Sequence, residues 1–198
     1  MRNLVGVRIG CAMTGSFCTF REAFEAWRAL DVAGAELFPI MSANAYGLDT
    51  RFFPAAEARR RFEAITGREV WHEIPQVEPI GPRKLLDLLI VAPCTGNSLA
   101  KIAAGITDTA ATLAVKSHLR NGRPVLIAVS TNDGLAQAAK NIGLLMPVKH
   151  VFFAPFRQDD AGGKPTSLVA DFSRLPEAAE AALAWQQLQP VLLPAKGI

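Results

Sequence analysis

The chain predicts a three-layer α/β sandwich, Rossmann-like or flavodoxin-like, around a mainly parallel sheet. Three observations carry that expectation. Apolar, partly β-branched runs such as Leu88-Leu89-Ile90-Val91-Ala92 alternate with segments whose apolar residues recur at helical spacing. Four runs end in small polar turns: Thr14-Gly15-Ser16, Ser42-Ala43-Asn44, Cys94-Thr95-Gly96-Asn97-Ser98 and Ser130-Thr131-Asn132. Alternating strands and helices favour right-handed crossovers, which cover both faces of a parallel sheet.

Val5, Val7 and Ile9 alternate with Gly6 and Arg8 as a strand does, and residues 10–16 read as a small-residue loop. Phe17, Phe20, Phe24, Trp27 and Leu30 share one helical face, with Gly34 where a C-terminal cap belongs. Residues 36–41 form a second strand, 54–66 a helix closed by Gly67, and Val70-Trp71 a short extended piece. Pro75, Pro79, Gly81 and Pro82 break regular structure before a strand over 85–93, apolar enough for burial on both faces. A helix opens over 99–104. Asp108 precedes another over 109–119, stopped by Asn121-Gly122. Then come a strand at 124–129, a helix at 135–145 and a strand at 150–156. Residues 157–166, with Gly162-Gly163, read as a mobile loop, and 176–188 as an Ala-rich amphipathic helix. One domain over residues 1–188 with a loose tail at 189–198 follows.

At 198 residues such a domain buries roughly 70% of its unfolded surface. Half the residues are hydrophobic and the net charge is only +3, so strong charge does not dictate a partner. The one basic run, Arg59-Arg60-Arg61, falls in a helical pattern and reads as a solvated face, so no nucleic acid is expected. Three cysteines without a Cys-x-x-Cys pair give neither a disulfide frame nor a zinc site, which fits a reducing cytoplasm. Arg2 precedes an apolar stretch, but Arg8 interrupts it and no small-x-small cleavage site follows. Nothing reaches the ~18 apolar residues that cross a bilayer, so no membrane partner is expected. His72, His118 and His150 lack metal-ligand spacing, and no metal is expected. His118, near a helix end, reads as a dipole partner or a surface residue. Cys11 and Cys18 read as buried fillers. Cys94 at a helix start invites a nucleophile reading, against which stands the lack of a histidine near it in sequence.

On a parallel sheet the four turns share the carboxyl edge, where open α/β sheets bind ligands. Thr14-Gly15-Ser16 is neither a Gly-Lys-Ser/Thr phosphate loop nor part of a Gly-x-Gly-x-x-Gly fingerprint. A hydroxyl-bearing turn at a helix start suits a single phosphate, which favours FMN over a dinucleotide. The candidate cofactor contacts are Thr14, Gly15, Ser16, Ser42, Pro93, Thr95, Gly96, Asn97, Ser98, Thr131 and Asn132. The plainer alternative is that Ser16, Ser42, Asn97 and Asn132 only cap helices, at about 1 kcal/mol each. No catalytic acid or base is assigned.

These turns, with Lys101-Ile102-Ala103 and Gly105-Ile106-Thr107-Asp108 after Pro93-Cys94-Thr95-Gly96-Asn97-Ser98, resemble the homo-oligomeric flavin-containing cysteine decarboxylase superfamily. Its motif there is Pro-Ala-Ser/Thr-Ala-Asn-Thr, then Lys-x-Ala and Gly-x-x-Asp. Residues 79–87, 128–134, 140–146, 151–160 and 164–170 resemble the branch of that superfamily found in dipicolinate synthases, and the likeness spans residues 4 to about 172. The resemblance implies FMN with its phosphate near Thr14, Gly15, Ser16 and Ser42, and Thr95, Asn97 and Ser98 beside the isoalloxazine or substrate. It implies a homo-oligomer, trimeric or larger, and a second dipicolinate synthase component, the dehydrogenase-like A-subunit, which brings NAD(P). The implied reaction oxidises a small dicarboxylate, a dihydrodipicolinate-type precursor, to pyridine-2,6-dicarboxylate in the mother-cell cytoplasm of a sporulating bacterium. Asn97, Lys84, Lys101, Arg157 and Lys164 are candidates for the substrate's carboxylates.

Two departures bear on activity. Where the decarboxylases carry a histidine, this chain has Glu78-Pro79-Ile80-Gly81. Where they carry Pro-x-Met-Asn-x-x-Met, it has Val129-Ser130-Thr131-Asn132-Asp133-Gly134. Cysteine-type decarboxylation is thereby disfavoured. Two alternatives stay open: a non-catalytic flavin scaffold that supports the dehydrogenase-like component, and a flavin-dependent decarboxylase or flavin prenyltransferase.

Overall fold

The computed structural model describes residues 4–195, which leaves residues 1–3, Arg2 among them, and 196–198 outside it. Seven strands form one sheet: β1 (Arg8–Met13), β2 (Glu36–Met41), β3 (Leu88–Cys94), β4 (Val125–Thr131), β5 (Val151–Phe153), β6 (Phe156–Asp160) and β7 (Lys164–Ala170). The order is β2-β1-β3-β4-β7-β6, with β5 beside β4. Strands β1 to β5 pair in parallel, while β6 and β7 form an antiparallel hairpin. β3 is buried along its whole length because it lies between β1 and β4 with helices on both faces, as its unbroken apolar run demands.

The helices are α1 (Phe20–Val32), α2 (Ala43–Gly47), α3 (Ala55–Thr66), α4 (Ile74–Val77), α5 (Gly96–Ala103), α6 (Ala110–Leu119), α7 (Ala139–Leu145) and α8 (Leu175–Leu183). α1 packs with α3 and α8, and α6 with α4 and α5. α1 buries Phe20, Phe24, Trp27 and Leu30, each contributing about 1.5–3 kcal/mol by leaving water. Gly34, at φ +90°, turns the chain out of α1 in a conformation that a side chain resists.

At the amino end of the sheet, Asp87 accepts from the Arg8 backbone and side chain (2.7–3.0 Å) and from Arg123 (2.9 Å). Burial alone would raise its carboxyl. The bonds from Arg8 and the charges of Arg8 and Arg123 outweigh burial and hold it below the ordinary aspartate range.

The structure corrects several sequence expectations. β1 runs through Gly10-Cys11-Ala12-Met13, so the loop begins at Thr14. Its small residues serve packing: a Cβ on Gly10 would lie 2.5 Å from Leu86 Cδ1 and 2.6 Å from Leu89 Cδ1. Residues 157–166 are no loop. They form most of the β6–β7 hairpin, whose polar, exposed flank hid the strand pattern. The helix expected from Leu135 starts at Ala139, because Leu135 N–H donates instead to Thr166 of the hairpin. The helix expected over 176–188 ends at Leu183. Of the segment expected as a tail, Val191 and Leu193 exchange backbone bonds with Phe156. Outside β5, the carboxamide of Gln187 accepts from Phe153 N–H (2.8 Å) and donates to Phe153 carbonyl oxygen (2.7 Å), completing that strand's ladder with a side chain.

Candidate functional site

Parallel pairing of β1 to β4 brings the four polar turns to one edge of the sheet. Hydrogen bonds then join them. Thr14 is buried; its N–H and hydroxyl both donate to Pro93 carbonyl oxygen (3.1 and 2.8 Å), and its hydroxyl accepts from Thr95 N–H (2.9 Å). Ser42 N–H donates to Met13 carbonyl oxygen at 3.0 Å. Ser16 and Ser130 hydroxyls lie 2.7 Å apart across the two turns, and Thr19 joins Ser130 at 3.1 Å. Thr131 hydroxyl donates to Asp133 over Gly96, where a Cβ would sit 2.6 Å from Asp133 Oδ1 and 2.8 Å from Thr131 Oγ1. A side chain at position 96 would push Asp133 and Thr131 aside, so glycine lets α5 start close to the β4 turn with their bond intact.

The partners divide the candidates into two sets. Thr95 caps α5, accepting from Ser98 N–H and donating to Ser98 hydroxyl, and Ser42 caps α2 by accepting from Ala45 N–H. With Thr14, these hydroxyls are spent inside the protein and shape the rim. Ser16 caps nothing with its side chain, and Asn97 and Asn132 are exposed without side-chain partners among the described residues. No helix starts directly after Asn132, so capping explains Ser42 but not Ser16, Asn97 or Asn132. Gly15 N–H likewise has no acceptor among the described residues. The rim therefore offers hydroxyls that can rotate, free carboxamides and one free N–H, a donor set that suits a phosphate and a polar heterocycle edge.

The candidate cations are less free. Lys101 donates to both carboxylate oxygens of Asp108 (2.8–2.9 Å), and Lys84 lies in a turn at φ 49°, in the 84–87 connection before β3. Arg157 is paired with Asp171, and Lys164 with Asp159 at 3.1 Å. Both stand on the hairpin, which joins the rim through Ser130↔Val169 and Thr131↔Leu168. Thr166 clasps the β4 turn, its hydroxyl donating to Asn132 carbonyl oxygen at 2.7 Å.

Sequence reasoning missed Thr19, Ser130 and Asp133 as rim contacts. Ser130 stood in a marked turn, and Thr19 lies three residues beyond Ser16, one turn along the same helical face. Burial decides the remaining side chains. Cys94 is fully buried, and desolvation pushes its thiol up to about 12, so at neutral pH it is protonated and no nucleophile. Cys11 is buried as expected, whereas Cys18 is exposed. His118 is 1% exposed, not a surface residue, and its Nε2 has no partner among the described residues. Arg59, read as solvated, lies 4.7 Å over the Tyr46 ring, which itself stacks on His72 at 3.6 Å. Among the described residues no group of three His, Cys, Asp or Glu is placed to hold a metal. No described helix is long and apolar enough to cross a membrane.

A family model described as Flavoprotein matches residues 1–169. The dipicolinate synthase B-subunit of Bacillus subtilis (strain 168) is 43% identical over 193 residues, covering 98% of this chain and 96% of that protein. The crystal structure of the corresponding B-subunit from Bacillus halodurans is 40% identical with a TM-score of 0.89, covering 96% of this chain and 98% of that one. An FMN-dependent cysteine decarboxylase, SpaF, shares the fold at 23% identity and a TM-score of 0.66, over 91% of this chain and 99% of its own. The chain thus belongs to the flavoprotein family, in which it is a homologue of the dipicolinate synthase B-subunit.

Proposed function

We propose that the rim holds FMN and that the chain is the flavoprotein component of a two-component dipicolinate synthase. The observation that carries the reading is the junction of the β1 and β4 turns, where Ser16, Thr19 and Ser130 hydroxyls cluster within 2.7–3.4 Å beside the free Gly15 N–H. The Gly96 cradle supports it, as does the family match. In this reading Gly15, Ser16 and Thr19 hold the phosphate, while Thr14, Ser42, Pro93, Thr95, Gly96 and Ser98 fix the loops. Asn97, Thr131 and Asn132 meet the ring system.

A dihydrodipicolinate-type precursor becomes pyridine-2,6-dicarboxylate by losing two electrons and two protons. Bound FMN supplies a two-electron acceptor at the sheet edge, and NAD(P) on the A-subunit the terminal one. The chain's own residues position the substrate: Asn97 from the start of α5, and Arg157 and Lys164 from the hairpin. Lys101 acts through Asp108, which holds it along α5. Assembly into a homo-oligomer in the cytoplasm covers the exposed rim.

The test is an absorbance spectrum of the purified chain titrated with FMN, alone and with the A-subunit. Saturable uptake and bleaching by the reduced precursor support the reading. A colourless chain that still stimulates its dehydrogenase-like partner would make it a scaffold instead. That second reading has one specific observation behind it: Glu78-Pro79-Ile80-Gly81 stands where the decarboxylases carry a histidine. Turnover of a cysteine-type or dimethylallyl substrate would replace both.

A further inference from the structure

Beside the rim lies a cavity of about 890 Å³ between α1, the hairpin and the start of α8. Thr19 belongs to both places, since it lines the cavity and bonds Ser130 of the rim. The volume falls within the range of small-molecule sites. Its walls carry three cations from two elements: Arg21 on α1, and Arg157 and Lys164 on the hairpin. They also carry four carboxylates. Asp171 pairs with Arg157, Asp159 with Lys164, and Glu25 with Arg28 outside the cavity. Those pairs leave one guanidinium, Arg21, and one carboxylate, Glu22, without partners among the described residues. Arg157 and Lys164 each keep donors their partners do not use. Ala26, Val169, Ala170 and Phe172 give the cavity apolar surface.

We propose that this cavity binds a small planar dicarboxylate, one carboxylate at Arg21 and the other at Arg157 and Lys164, with the ring against the apolar wall. Cations on two separate elements ask for two anionic groups on one ligand, because a single anion satisfies only one side. The wall's four carboxylates outnumber its three cations, so the ligand is held by Arg21 and by the donors that Arg157 and Lys164 keep beside their own partners, and Glu22 works against binding. The site itself rests on the cavity; only the choice of probe rests on the dipicolinate reading above.

Cys18 supplies the readout. It lines the cavity and is exposed, while Cys11 and Cys94 are buried, so a thiol reagent on the folded chain reports Cys18. Pyridine-2,6-dicarboxylate is expected to slow labelling in a saturable way. Arg21→Gln should raise the concentration needed by about tenfold or more, the scale of a lost charge-assisted hydrogen bond. Glu22→Gln should lower it, and picolinate, with one carboxylate, should protect only at much higher concentration. The tetrahydro analogue in the same titration distinguishes a reduced precursor from the aromatic product, and protection by either supports the site. An unchanged labelling rate at saturating probe, equal protection in Arg21→Gln, or equal protection by picolinate overturns the proposal. Neither variant touches the rim. Flavin uptake without protection therefore sinks this site, and with it the substrate role of Arg157 and Lys164, but leaves the flavin reading standing, and protection without flavin uptake sinks the flavin reading alone.

Discussion

His118 is enclosed near the C-terminal end of α6 with one ring nitrogen unpaired among the described residues, and burial, aided by the charge of Arg123, lowers its pKa to about 4. The unfolded chain takes up this proton near 6.5, whereas the folded chain refuses it until about 4. Stability from this group is therefore complete above pH 6.5 and falls as pH drops toward 4, by up to roughly 3 kcal/mol. Urea denaturation at pH 7 and pH 5 should show the loss, and His118→Leu should flatten it. At the rim, Ser16→Asp puts a carboxylate where the phosphate is proposed to sit. FMN uptake should drop by at least about a hundredfold, the scale of repulsion between two like charges about 4 Å apart near a protein surface, while the melting temperature stays close to that of the parent. Uptake unchanged in that variant would move the phosphate elsewhere. Residue types and turns at the rim were legible because small polar residues after apolar runs have few other uses. Which hydroxyls are spent was not, because Thr14 and Thr95 meet across 81 positions of chain.

Strands β1 to β4 and most helices were legible from apolar periodicity and from their caps. Thr95 exemplifies the latter, and Thr95→Ala should cost about 1 kcal/mol in chemical denaturation. The hairpin was not legible. β6 carries Arg157, Gln158, Asp159 and Asp160, and such polar residues give a strand no sequence period when ion pairs and a neighbouring strand stabilise it. Its Asp160 carboxylate accepts from Gly163 N–H at 2.8 Å to fix the turn. Gly163→Ala places a Cβ 2.4 Å from Asp160 Oδ2. Limited proteolysis should then cut residues 160–164 faster than in the parent, with the β1–β4 sheet intact; equal cutting would mean the turn holds without that bond.

The whole molecule couples its two ends differently. The amino end of the sheet is fastened by Arg8, Asp87 and Arg123, far in the fold from the strand-end turns. Asp87→Asn should lower stability by about 1–2 kcal/mol after screening by solvent, without changing FMN affinity. Because the folded Asp87 pKa is depressed, this contribution is present above the ordinary aspartate range and disappears as pH falls through the lowered value. The parent and Asp87→Asn stability curves should thus converge in strong acid. Parallel pairing and the shared edge followed from sequence because alternating strands and helices favour right-handed crossovers, whereas the order of the strands did not. The pairing of β4 with both β5 and β7 did not, since nothing local in Val125–Thr131 announces a split edge.

The Gln187 amide that closes off Phe153 has a consequence for solution behaviour. A bare β-margin recruits other chains into endless ribbons, and natural proteins guard such margins. Here one side chain acts as the plug. Swapping it for alanine would unmask Phe153's main-chain N–H and carbonyl beside the exposed Trp185 and Met146, and concentrated samples of that variant should thicken into polymers that bind thioflavin.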